Sequence, residues 1–196
     1  MAAIVLLRIE WLKASRRRAL WVALAAFAAF TAVPAIERVR SAQGNPNAVH
    51  ALPESWPDIL QSATGLGPLF TGVLMILLFA PEFAWRTARQ NVMDGLSRER
   101  FYAGKVLLLA GLVGLVTATT VLIGAGGTLL SPGGGGPSFI RPADFSYMGG
   151  LALGMLVFGS AGMMLSVHLR SSGSALAILL LYLFVEEALA RLITGT

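Results

Sequence analysis

The chain has 196 residues, 56% of them hydrophobic and only 13% charged, with a formal net charge of +5. Soluble domains carry about 25% charged residues, so this chain lacks the polar side chains to cover a water-facing globule. It contains no cysteine, which excludes a disulfide framework and thiolate metal sites.

Residues 1–18 open apolar and end in a basic cluster, Lys13 and Arg16-Arg17-Arg18. On a helical wheel Glu10, Lys13 and Arg17 share one face, while Ile4, Leu7 and Trp11 share another. Two readings stay open: a short helix on the inner membrane surface, anchored by Trp11 and by arginines near anionic lipid headgroups, or a basic flank that orients the next helix. Residues 19–36 are apolar without interruption and reach about 27 Å as a helix, enough for a first span. Val33-Pro34-Ala35 resembles a small-residue cleavage site, but the charged stretch before it is long and further spans follow. The span is expected to end near Pro34.

Residues 37–62 are polar and mixed in sign, with Asn45-Pro46, Pro53 and Pro57 as helix breakers. They are expected to form an exposed loop with a short interfacial piece around Trp56. His50 stands there without a second ligand and is assigned no role. Residues 63–81 form the second span, closed by Pro81.

Residues 82–105, EFAWRTARQNVMDGLSRERFYAGK, are the longest charged stretch between apolar ones and hold five of the fifteen basic residues. If Glu82 to Leu96 is helical, Glu82, Arg86 and Arg89 share a face, and Trp85, Ala88 and Val92 share another that can pack under the bundle. Gly95 would end that helix, and Ser97 could cap the next.

Residues 106–130 are the third span. Gly133 to Gly136 follow, with no Gly-Lys-Ser/Thr ending and no strand before them, so they read as a flexible hairpin loop rather than a phosphate cradle. Residues 147–167 are the fourth span, where Gly150 and Gly154 are spaced for close helix contact. A polar turn, His168 to Ser174, leads into a fifth span over 174–193. Glu186 and Glu187 lie in it, and mid-membrane carboxylates cost about 2.5–3.5 kcal/mol each. They belong at the far interface or in a water-filled cavity.

Five spans place loops alternately on two sides. One side carries Arg8, Lys13, Arg16, Arg17, Arg18, Arg86, Arg89, Arg98, Arg100, Lys105 and Arg170; the other carries Arg38, Arg40, Arg141 and Arg191. The positive-inside rule makes the first side, with the N-terminus, cytoplasmic. No Gly-x-Ser-x-Gly, His-Glu-x-x-His or Walker A motif is present. The two histidines fall on opposite sides, and Glu186 and Glu187 point about 100° apart on a helix. The chain is not expected to be an enzyme, and no cofactor or metal is assigned to it.

The order of a span, then Glu82-Phe-Ala-Trp-Arg86-Thr87-Ala-Arg89, then Gly95-Leu-Ser97-Arg98, then Gly104-Lys105 and another span resembles the permease subunits of ABC-2-type exporters. Glu10-Trp11-Leu-Lys13-x-x-Arg16-Arg17 is similar to the interfacial elbow helix of that family. The resemblance covers essentially the whole chain. Arg86 stands where many members have glycine, and a sixth span usual in the family is not seen. It is expected to be missing, with a surface helix at the C-terminal end as the alternative.

The resemblance implies an all-α integral membrane protein, an elbow helix followed by transmembrane helices, in the inner membrane of a bacterium. It implies a second permease subunit, in a homodimer or heterodimer, and separate cytoplasmic ATPases that drive substrate outward. The ATPase would be contacted through Glu82, Arg86, Thr87, Arg89, Ser97, Arg98, Lys105, His168 and Arg170. The substrate is expected to be amphiphilic, membrane lipids to be neighbours, and no nucleic acid to bind. The alternative is a non-transporting scaffold subunit of a larger membrane complex.

Overall fold

The computed structural model describes residues 2–44, 56–85, 87–95, 97–130 and 142–194. The described residues form helices and no strand: α1 (Ala2–Ser15), α2 (Arg18–Gly44), α3 (Trp56–Ala84), α4 (Thr87–Met93), α5 (Arg98–Leu129), α6 (Pro142–Leu169) and α7 (Ser172–Thr194). Among them α2, α3, α5 and α6 are long and apolar enough to cross a membrane. At 1.5 Å per residue, α5 reaches about 48 Å, well beyond the ~30 Å hydrocarbon layer. α7 reaches about 35 Å by the same rise.

Several boundaries differ from the sequence-based expectation. The exposed loop expected over 37–62 is helical at both ends, because α2 continues to Gly44 and α3 starts at Trp56. Pro34 does not stop α2, since a proline removes one hydrogen bond but its fixed φ is compatible with helix, and α2 runs on to Gly44. Pro57 starts α3 rather than breaking it, because in a first turn its missing N–H would have no partner anyway. The remainder of that loop, with His50, and the Gly133–Gly136 loop lie outside the described residues. The helix drawn from Glu82 to Leu96 is two pieces, α3 ending at Ala84 and α4 running Thr87–Met93. Gly95, at φ +96, follows α4 as expected of a helix stop. The turn expected over His168 to Ser174 shrinks to Arg170 and Ser171, because Arg170 adopts a left-handed φ of 51 and closes α6 at once.

α3 is the axis of the bundle and packs on α2, α5, α6 and α7. Of its spanning stretch 61% is buried, against 22, 33 and 28% in α2, α5 and α6. Leu74, Met75, Ile76, Leu78, Phe79 and Ala80 give it buried side chains around its circumference, as expected of a helix enclosed by others. The outer helices turn large apolar side chains outward, including Trp21 and Phe30 on α2, Leu153 and Val157 on α6, and Leu181 and Phe184 on α7. In water such a surface would aggregate; in lipid it is the solvated surface.

The α3–α6 contact depends on missing side chains. A Cβ on Gly162 would sit 2.6 Å from the Gly72 carbonyl oxygen, so the two backbones are in direct contact. Gly154 meets Pro68, where a Cβ would lie 3.1 Å from Cγ. Gly150, paired with Gly154 from the sequence, has nothing within 4 Å. The close approach runs through Gly154 and Gly162, because these are the positions that face α3.

Candidate functional site

The charged residues singled out from the sequence gather at one end of the bundle. Lys105 lies in the third turn of α5 and is only 2% exposed. Its ammonium donates to Glu82 Oε1 on α3 at 2.6 Å and to Glu10 Oε2 on α1. Both carboxylates are buried, Glu10 at 7% and Glu82 at 6% exposure. Lys13, half exposed, donates to the second oxygen of Glu10 at 3.1 Å. Thus α1, α3 and α5 are pinned by one ammonium.

The surroundings explain why these charges tolerate burial. The Lys105 nitrogen lies 5.5 Å from the Phe79 ring centre and 5.3 Å from that of Phe101, within the range where a ring face attracts a cation. Phe79 and Phe101 are themselves buried and pack with Phe83, Met163 and Val167. Glycine precedes the lysine for a steric reason. A Cβ on Gly104 would sit 3.2 Å from Glu10 Cγ, so a larger residue would push α1 away.

Arg17 closes the cluster from the α1–α2 corner. Its Nη1 donates to the carbonyls of Leu77 at 3.2 Å and Leu78 at 3.0 Å on α3. The corner is fixed by Arg17 N–H on the Ala14 carbonyl and by the Trp21 indole N–H on the Ser15 carbonyl at 2.7 Å. A gap of about 10 Å³ remains, lined by Glu10, Lys13, Arg17, Glu82 and Lys105. That is about one water in size. Glu82 Oε2, buried without a hydrogen-bond partner, is the group such a water would serve.

Outside this cluster the segment is exposed. Thr87 opens α4 and donates from Oγ1 to the Glu82 carbonyl at 3.1 Å, tying the start of α4 to the end of α3. Arg89, Ser97, Arg98 and Arg100 are exposed. Ser97 caps α5, accepting from the Arg100 N–H at 3.3 Å. Trp85 and Met93, each 75% exposed, put apolar surface beside these arginines; Trp85 does not pack under the bundle. Arg86 lies outside the described residues, as do the side chains of Ala88 and Val92.

At the α6–α7 turn, His168 and Arg170 are exposed, and His168 Nδ1 donates to the Met164 carbonyl at 2.9 Å. Val167, beside His168, packs on the Phe79–Phe101 cluster, which puts this turn at the same end of the bundle. Of the elbow residues, Trp11 packs half-buried on the core and Arg16 is exposed. The site residues therefore divide into an internal set, Glu10, Arg17, Glu82 and Lys105, and an outward set, Arg89, Ser97, Arg98, His168 and Arg170. The aromatic pair and the carbonyls bound by Arg17 were not found from the sequence. A lone acid at the end of one apolar run and a lone lysine at the start of the next were the available signal. Among the described residues no group of His, Asp or Glu could hold a metal ion.

No curated protein and no solved structure matches the chain. Residues 6–186 match the family described as ABC-2 family transporter protein, from within α1 to Glu186 of α7. This multi-pass all-α membrane protein, with the helices and charged segment laid out above, belongs to the ABC-2 family and is a membrane permease component of an ABC transporter.

Proposed function

We propose that the chain is the membrane subunit of an ATP-driven exporter and that a separate ATPase docks at the end of the bundle holding α4. The observation that carries this reading is the division of charge there. Glu10 and Glu82 are paired inside with Lys105 and Lys13, while Arg89, Arg98 and Arg100 face out beside the exposed Trp85 and Met93. Exposed arginines around aromatic and methionine side chains are the composition of a protein-binding patch. The buried charges give that patch a rigid base, so a push on α4 is transmitted to α3 through Thr87 and to α1 through Lys105.

In this reading the end with α1, α4 and the α6–α7 turn is cytoplasmic, α7 is a fifth span, and the membrane is the inner membrane of a bacterium. Two such subunits enclose the path of an amphiphilic substrate. The test is co-purification with an ABC ATPase encoded beside the chain. Capture of the ATPase by the native chain and its loss on reversing Arg89 and Arg98 supports the reading; capture unaffected by the reversal overturns the docking surface.

A further inference from the structure

Pro81 sits inside α3, three residues before its end. Proline has no N–H, so the carbonyl four residues earlier, that of Leu77, loses its helical donor, and the ring crowds that carbonyl outward. In an apolar bundle a freed carbonyl must find another partner. Arg17 provides it, donating from Nη1 to Leu77 and to the next carbonyl, Leu78. The donor comes from sixty positions away, from the corner where the elbow turns into α2.

We propose that Arg17 is a positioning residue that replaces the hydrogen bond Pro81 withholds, clasping the α1–α2 corner to the base of α3. The clasp lies about two turns before the α3–α4 joint. It fixes the direction in which α3 delivers Thr87 and α4, and it fixes the elbow to the same point. A helix with a complete ladder needs no such partner, so the requirement for Arg17 exists because Pro81 does. The consequence for ATPase coupling rests on the function proposed above; the clasp itself does not.

A double-mutant cycle isolates the clasp. Arg17→Ala is expected to lower the melting temperature of the purified protein by several degrees. In a Pro81→Ala background, where the restored backbone N–H can serve the Leu77 carbonyl, the same change should cost less than half as much. Arg17→Lys, which keeps a cationic donor, should retain most of the native value. The chain has no cysteine, so spin labels can be placed directly at Leu12 on α1 and Gln90 on α4. Their distance distribution should broaden in Arg17→Ala and narrow again in Arg17→Ala/Pro81→Ala.

If Arg17→Ala does not accumulate in the membrane, accumulation of the double variant is the expected rescue; loss of the double variant while Pro81→Ala persists overturns the proposal. An equal cost of Arg17→Ala with and without Pro81 also overturns it. With the ATPase present, Arg17→Ala should uncouple hydrolysis from transport and the double variant should restore coupling. Rescue of stability without any change in coupling would leave the clasp standing and refute the proposed route from α4.

Discussion

Lys105 and Glu10 are ninety-five positions apart and share a hydrogen bond in the buried interior. Through it the first helix of the chain is held by the base of α5. Replacing Lys105 with methionine leaves Glu10 and Glu82 buried without their shared cation. Removing one partner of a buried ion pair costs about 3–5 kcal/mol, and that loss is expected in denaturant unfolding of the purified protein. Adding Glu10→Gln and Glu82→Gln to Lys105→Met should recover much of it, because neutral buried groups need no counter-ion.

The glycine contact between α6 and α3 makes a graded prediction. Gly162→Ala puts a methyl against the Gly72 backbone oxygen, which cannot rotate away, so the helices must part. Overpacking of this kind costs about 1–3 kcal/mol. Gly159→Ala meets the Leu109 side chain instead, which can change rotamer, and should cost less. Gly149→Ala has open space and should unfold like the native protein. Unfolding curves for the three variants check the order.

Reversing Arg89 and Arg98 to glutamate should leave folding unchanged, since both side chains are exposed and surface substitutions usually stay within about 0.5 kcal/mol. Recovery of the ATPase with the variant should fall, and the loss should be smaller at high salt, where native attraction is already screened. Thermal unfolding alongside the pull-down separates a lost surface from a lost fold.

The two ends of α5 test orientation. Single cysteines at Ser97, before its first turn, and at Leu129, its last and highly exposed residue, need no other cysteine removed. An impermeant thiol reagent applied to intact cells should label Leu129→Cys and spare Ser97→Cys. Labelling of Ser97→Cys alone would invert the charge-based assignment.

The spans were legible because hydrophobic length is a local property, and α2, α3, α5 and α6 follow from it directly. Ser97 and Gly95 were legible for the same reason: a cap or a stop acts within a turn. The helix extensions to Gly44 and from Trp56 were not, since proline's effect depends on its place in the helix rather than on its presence. The partner of Glu82 was missed for a different reason. A neighbour four residues on, Arg86, satisfies a helical-wheel argument, whereas Lys105 reaches it only once α3 and α5 have packed. Long-range ion pairs leave only one local trace, a charge set where the surrounding run is apolar.

That cluster also constrains biogenesis. Glu10 and Glu82 are synthesised before Lys105, so a nascent chain ending in α4 holds two acids whose shared cation does not yet exist. Glu10 already has Lys13 beside it, but burying Glu82 alone carries the cost of an unpaired charge at the edge of the hydrocarbon, roughly a few kcal/mol. The base of α3 gains the counter-ion for its buried acid only after α5 has entered with its lysine. Insertion of the first half of the protein is therefore provisional, and it is completed from the second half.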